Sequence, residues 1–363
     1  MGGDLLIYGS YGYAGSLITQ RAVDRGLDPT VAGRDAEQVE RQATDLGLDH
    51  EVFSLEHGTV VEDRVAAADA VLNCAGPFSR TTERLTTACM ETGTDYLDLA
   101  GEIDVLEGVA ERDRDAEKDG VSLVPGVGFD VVATDCLSGF LESQLRSATE
   151  LTLALDGLGT FSPGTVKSIL EELPQAGAVR KNGAIRYVPA AWKRREFDFG
   201  DETAKTGVTV PWGDVSTAYY STGIENIEVY ATVPEYAVSV MRRIRPLVPV
   251  LGLTPVRRAL EVLADAALSG PTARERALST TRVWGRVVDD EGSHVTAVLE
   301  TPDTYDLATA TAVEAAKRML AGEVSDGFQT PASAFGTDFV LDVEGVTRTI
   351  TDAEQVPTAD VAR

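Results

Sequence analysis

The chain has 363 residues and a formal net charge of −26, from 58 acidic and 32 basic residues. A chain of this length buries a large core and predicts two domains; so acidic a balance excludes nucleic-acid binding, which needs the opposite sign. Of the basic residues 26 are Arg and six are Lys, an acidic, Lys-poor composition that resembles halophilic proteins, whose dense carboxylates keep the chain hydrated.

The chain opens with an apolar strand, Leu5-Leu6-Ile7-Tyr8, and runs into Gly9-Ser10-Tyr11-Gly12-Tyr13-Ala14-Gly15. Strand, glycine turn and helix in that order suit a dinucleotide pyrophosphate: the turn lets the backbone approach, and the helix aims its first N–H groups at the phosphates. The spacing is G-x-x-G-x-x-G, and a tight turn without ligand is the plain alternative. Charged and polar residues from Asp4 onward lack the pattern of a secretory leader, which predicts a cytoplasmic protein.

A second strand ends at Gly33-Arg34, where NAD-preferring folds place an acid for the ribose hydroxyls. A guanidinium there suits a ribose 2′-phosphate, so the expected cofactor is NADP, with NAD as the alternative. Asp35, followed by Gln38, reads as the cap of a helix over 36–46. A strand at 50–55, a helix near 60–67 and a strand at 70–73 follow. The last ends in Asn73-Cys74-Ala75-Gly76-Pro77, whose small residues give a nicotinamide ring access to the backbone. Helix 82–93 leads to Tyr96-Leu97-Asp98 and Gly101-Glu102, then one helix over 103–119 and a strand at 122–125. Tyr96 and Glu102 are the candidate proton donors; Asp98 and Glu102 equally read as helix caps. The alternation predicts a Rossmann-type parallel, doubly wound sheet, with Gly9, Arg34, Gly76, Gly101 and Gly126 on one rim.

Beyond residue 130 the rhythm changes to an α+β domain on a mostly antiparallel sheet. Helix 131–145 precedes a strand at 151–155. Ser162-Pro163-Gly164-Thr165 starts a helix that carries Lys167 and Ser168, read either as an anion site or as an ordinary cap. Asn182-Gly183 predicts a hairpin. Arg180, Lys181, Arg186, Lys193, Arg194 and Arg195 form a cationic cluster for an anionic carrier, or for neighbouring carboxylates. Strands at 281–288 and 294–300 precede a helix at 308–320. Residues 237–269 hold no run of ~20 apolar residues, hence no transmembrane span; flanking arginines leave a peripheral membrane contact or a packed helical pair. Cys74, Cys89 and Cys136 show no metal spacing, so neither metal nor disulfide is expected.

Taken together, residues 9–15, 33–34, 73–78, 98–102, 126–135, 162–168, 270–271 and 327–331 resemble the saccharopine dehydrogenase-like oxidoreductases, and within them the branch of trans-acting enoyl reductases. The resemblance implies a dinucleotide-binding domain over 1–130, a substrate and dimerisation domain over 131–326, a return to the first domain over 327–350 and a frayed tail over 351–363. It implies NADP-dependent hydride transfer to an enoyl, carbonyl or imine group of a small or lipid-like substrate, in a homodimer. Gly9, Ser10, Gly12, Tyr13 and Gly15 would hold the pyrophosphate, Arg34 the 2′-phosphate, and Asn73, Ala75, Gly76 and Pro77 the nicotinamide. The rival readings are a dinucleotide-binding redox sensor without turnover and a membrane-interface protein.

Overall fold

A computed structural model describes residues 3–172, 177–234, 243 and 253–354. Seven short parallel strands form the first sheet: β1 (Leu5–Tyr8), β2 (Thr30–Gly33), β3 (His50–Val52), β4 (Ala70–Asn73), β5 (Asp95–Asp98), β6 (Ser122–Val124) and β15 (Gly327–Phe328). Their order is β15-β6-β5-β4-β1-β2-β3, so consecutive strands run away from β1 on both sides. The chain reverses that progression between β1 and β4, the crevice where such sheets bind ligands. β1 and β4 are buried at every position, as parallel strands covered on both faces must be.

Helices α1 (Tyr13–Asp24), α2 (Ala36–Leu46), α3 (Gly58–Val65) and α4 (Thr82–Thr92) cross between these strands. The helix expected over 103–119 is two: α5 (Ile103–Ala110) and α6 (Asp113–Asp119). Only Ala116 of α6 is buried, so the segment lacks the apolar stripe that would carry α5 onward as one packed helix.

Helix α7 (Phe129–Gln144) carries the chain from the first sheet to the second and is buried along most of its length. The second sheet runs β10 (Arg194–Phe197), β11 (Lys205–Thr209), β12 (Asn226–Thr232), β7 (Ala148–Asp156), β13 (Thr280–Asp289), β14 (His294–Pro302) and β16 (Thr347–Glu354). Only the β7–β12 pair is parallel. β8 (Ala178–Lys181) and β9 (Ala184–Tyr187) form the expected hairpin beside β12, with Asn182 and Gly183 both at positive φ in its turn. One apolar cluster includes Ile7, Leu97, Leu137, Leu153, Leu299 and Met319, so the two sheets share a core around α7.

Helices α8 (Pro163–Glu172), α9 (Asp214–Thr222), α10 (Thr254–Ala267) and α11 (Ala273–Leu278) belong to this half, and α12 (Thr304–Leu320) packs on α1 and α7. A short α13 (Pro331–Phe335) follows β15. The tail departs from expectation: Thr347–Glu354 pairs with β14 through a register shift near Thr296, so residues 351–354 are strand rather than frayed chain, and 347–350 join the second sheet. Of the apolar stretch at 237–269, residues 237–242 and 244–252 lie outside the described residues, while α10 packs on α8. Among the described residues no helix is long and apolar enough to cross a membrane.

Candidate functional site

The carboxyl ends of β1, β2, β4, β5 and β6 form one rim, and the turns that follow them make the site. Gly9, at φ 79, closes the first turn against the fourth: a Cβ there would lie 2.7 Å from Ala75 Cβ. Only a residue without a side chain tolerates that approach together with left-handed backbone. Gly15 packs so tightly that a Cβ would collide with the Gly9 carbonyl. Gly12 caps α1 with no side-chain acceptor, and the first intrahelical bond is Ser16 N to Gly12 O at 2.8 Å. The N–H groups of Tyr13, Ala14 and Gly15 therefore stand outside the intrahelical ladder and point off the helix end.

Two side chains expected at the phosphates turn elsewhere. The buried Ser10 hydroxyl donates to Ala32 O at 3.4 Å, while Ser10 O accepts from Gln42 Nε2 at 2.9 Å. The Tyr13 hydroxyl donates to Pro271 O and accepts from Arg276 Nη1 at 2.9 Å. At both positions only the backbone faces the turn. Arg34 is exposed where β2 ends, and among the described residues no carboxylate pairs with it. Asp35 is committed as a cap: its Oδ1 accepts from Gln38 N at 3.2 Å and its Oδ2 from Gln38 Nε2 at 2.9 Å. Those bonds hold its carboxyl below the usual range, and the residue is unavailable as a ribose acceptor. Beside Arg34, the Tyr11 ring lies where a Gly33 Cβ would stand.

The fourth and fifth turns share one buried network. Asn73 Nδ2 donates to Thr81 Oγ1 at 3.0 Å and Tyr96 Oη at 3.1 Å, while its Oδ1 accepts from Ala75 N at 3.0 Å. Tyr96 Oη donates to Asp98 Oδ2 at 2.8 Å, and Asp98 Oδ1 accepts from Ala100 N and Gly126 N, each at 2.9 Å. Burial lifts the Asp98 pKa to about 6 against these donors, and lifts the Tyr96 hydroxyl well above its usual value. The network fastens the ends of β4, β5 and β6. Tyr96 is 0 % exposed with its hydroxyl spent inside the fold, which removes it as a donor to substrate. Asn73 likewise shapes the turn from within, leaving Ala75, Gly76 and Cys74 to line the rim; Pro77 is buried behind them. Burial raises the Cys74 thiol, so it is no ready nucleophile.

Glu102 is also heavily engaged. Its Oε1 accepts from Ser168 Oγ at 2.7 Å and Phe78 N at 3.4 Å, and its Oε2 from Gly101 N at 3.1 Å. An oxygen pair already taking three donors is a positioned acceptor more than a free acid. Opposite it lies Asp130: a Cβ on Gly101 would stand 3.0 Å from Asp130 Cβ. The Asp130 carbonyl accepts from Trp212 Nε1 at 2.7 Å, while among the described residues no donor reaches its carboxyl. Burial and then the charge of Glu102 raise its pKa to about 7.

The second half closes over this rim. Ser162 Oγ caps α8 through Thr165 N at 3.3 Å, and Tyr305 Oη takes Ser162 N at 2.7 Å, so this helix start satisfies itself internally. Ser79 and Arg80 bond Glu171 of α8, and Arg80 also reaches Glu261 of α10 at 3.3 Å. The cationic cluster resolves into local pairs. Arg180 is buried against Glu107 at 2.6 Å, Lys193 pairs with Glu228, and Arg195 lies over Phe197 and Trp284. Of the two readings of the cluster, Arg180 and Lys193 follow the pairing with neighbouring carboxylates. Among the described residues no group of three His, Cys, Asp or Glu is placed to hold a metal.

Residues that the sequence reading did not connect to the rim are Gln42, Trp212, Arg276 and Tyr305. Of these only Trp212 carries a local signal, the turn and helix start of Pro211-Trp212-Gly213-Asp214. The rest come from distant positions.

The chain is similar to several known proteins. Residues 5–124 match the family model of the saccharopine dehydrogenase NADP binding domain. A Mycobacterium tuberculosis protein provisionally named a trans-acting enoyl reductase is 29% identical over 187 residues, 48% of this chain and 45% of its own. The human saccharopine dehydrogenase-like oxidoreductase is 28% identical over 220 residues, 55% and 46% of the two chains. A Caenorhabditis elegans lipid droplet localized protein is 24% identical over 245 residues, 58% and 56% of the two. The chain spans about half the length of the curated relatives it matches. The apo saccharopine dehydrogenase (L-Glu forming) of Saccharomyces cerevisiae superposes with a TM-score of 0.66 at 13% identity, over 97% of this chain and 100% of that one, which establishes a common fold.

Proposed function

We propose, for a chain whose residues 5–124 match the model of the saccharopine dehydrogenase NADP binding domain, hydride transfer between NADP(H) and a small or lipid-like molecule bearing an enoyl, carbonyl or imine group. One observation carries the reading: an α1 N-terminus left open by glycine and an unpaired Arg34 lie at the ends of neighbouring strands. The first suits a pyrophosphate and the second a 2′-phosphate.

When bound, the reduced nicotinamide supplies hydride; the chain supplies position and electrostatics. Gly9, Gly12 and Gly15 with the N–H groups of Tyr13 and Ala14 hold the pyrophosphate, Arg34 the 2′-phosphate, and Ala75 and Gly76 the nicotinamide half. Ser10, Tyr13, Asn73 and Pro77 act by fixing the turns. The name of the mycobacterial relative favours an enoyl substrate, and that of the nematode relative a lipid-like one. On this reading residues 1–130 with the strand at Gly327–Phe328 bind the dinucleotide. The intervening half binds substrate and pairs two copies, in the cytoplasm or at a membrane surface.

Fluorescence titration with NADPH and NADH tests the assignment. NADPH binds more tightly than NADH, and Arg34→Ala removes that preference by weakening NADPH about tenfold or more, the loss of a charge-assisted bidentate contact. Equal affinity of the two dinucleotides, or no change in Arg34→Ala, refutes the 2′-phosphate role. Oxidation of NADPH over a panel of enoyl, keto and imine compounds then separates an enzyme from a sensor.

A further inference from the structure

We infer that Asp130 is the proton donor of the site, with Glu102 as its acidic neighbour. The inference rests on the NADP(H) reading above and adds a residue to it. Asp130 is the second residue of α7, after Gly126-Val127-Gly128 has brought the chain out of β6 onto the rim. There it packs on Gly101, in the turn that follows β5 on the same rim as the turns after β1 and β4. A side chain at 101 would push the carboxyl away.

Three features separate Asp130 from the other acids of the rim. As a residue Asp130 is half-buried, whereas Asp98 is fully buried. No donor among the described residues engages it, whereas Glu102 holds three. Its backbone is fixed by Trp212 Nε1 at 2.7 Å, so the carboxyl is presented from a rigid point. The charged group facing it is Glu102, on the turn after β5. From the other elements packed on it, Trp212 and Gly213 before α9 and Thr134 one turn along α7 are neutral. A carboxyl beside a fixed acceptor carboxylate retains its proton near neutrality, the condition a general acid requires.

The step balances as follows. Hydride from the reduced cofactor adds to one atom of the substrate double bond, and the electron pair of that bond moves to the neighbouring atom. That atom takes the Asp130 proton, leaving a carboxylate that solvent reprotonates. The carboxylate is then left beside an oxidised, positively charged nicotinamide, so ionisation of Asp130 and the oxidised cofactor favour each other.

That coupling is measurable without a substrate. The Kd of the full chain for NADP+ and for NADPH is measured by calorimetry from pH 5.5 to 8.5, and their ratio removes the titration of the shared 2′-phosphate. In the wild type, NADP+ gains on NADPH by roughly threefold or more as pH rises through neutrality, the expected sign for a carboxylate forming near the positive ring. Asp130→Asn flattens the ratio while retaining NADPH binding; Glu102→Gln keeps Asp130 and moves the step to lower pH. A flat ratio in the wild type, or an unchanged slope in Asp130→Asn, overturns the assignment. Binding of neither dinucleotide by the wild type overturns the parent reading and this one with it.

Discussion

Tyr13 and Arg276 lie 263 residues apart and share a hydrogen bond of 2.9 Å from Arg276 Nη1 to Tyr13 Oη. The bond joins the first residue of α1, at the pyrophosphate turn, to α11 of the other half. Around it, Arg276 Nε donates to Asp306 at 2.9 Å, the Tyr13 ring meets Tyr305 edge-on at 4.9 Å, and Gly270 leaves room for that ring. The glycine turn is thereby bolted to the half of the molecule that the reading assigns to substrate.

Breaking this clasp loosens both sides of the crevice. Tyr13→Phe removes two hydrogen bonds in a part-buried setting, and the expected loss is about 1–2 kcal/mol by urea denaturation. NADPH affinity falls together with stability, because the turn that holds the phosphates loses its anchor. Stability unchanged within error in Tyr13→Phe shows the clasp to be a mere contact.

Gly15→Ala tests the packing of the turn itself. The added methyl would collide with the Gly9 carbonyl, so the helix start must move. The expectation is a loss of roughly 1–3 kcal/mol in unfolding free energy with NADPH binding abolished. The same change at Gly12, whose Cβ would stand 3.3 Å from the Gly9 carbonyl, costs less than the change at Gly15. Equal destabilisation by the two changes contradicts this division of roles.

Buried acids give stability a pH dependence of definite sign. Asp98 and Asp135 are raised to about 6 by burial, and burial with the neighbouring Asp135 charge raises Asp214 well above its usual value. Among the described residues no hydrogen-bond partner reaches the buried Asp214 Oδ2. A folded state that binds the proton more tightly than the unfolded one is favoured at low pH. It loses that advantage as pH rises from about 4, the unfolded value, to about 6 for Asp98 and Asp135. Asp214→Asn therefore raises the unfolding midpoint at neutral pH and reduces the slope below it. A variant less stable than wild type at pH 7 would falsify this assignment.

Glu107 and Arg180 tie α5 to β8. Arg180, 5 % exposed, donates to Val215 O, Gly183 O and Glu107, and Glu107 also takes the Ser216 and Tyr220 hydroxyls. Arg180→Met leaves the Val215 and Gly183 carbonyls without this donor and Glu107 without its cationic partner. The expected loss is about 3 kcal/mol in guanidinium-free unfolding, read by urea melts, with NADPH affinity retained. A neutral result contradicts a structural role for the Arg180 contacts.

Local sequence determined a great deal here. The apolar runs at Leu5–Tyr8 and Ala70–Asn73 are short, uniformly hydrophobic and bounded by glycine turns, so they dictate buried parallel strands. Asp35 with Gln38 and Asn182 with Gly183 likewise act through neighbours in the chain, and their cap and turn form as read. The identity of the acid at the rim was decided elsewhere. Tyr96 lies within β5, while Glu102 and Asp130 sit beyond strand ends. Only packing buries the first, engages the second with a serine from α8 and leaves the third with no donor to its carboxyl among the described residues. The edge strand Thr347–Glu354 is a similar case: its eight residues are mostly exposed and carry no apolar alternation, so β14 supplies the template. Protonation state and pairing depend on which groups tertiary contacts bring within a few ångströms, and sequence spacing does not encode that distance.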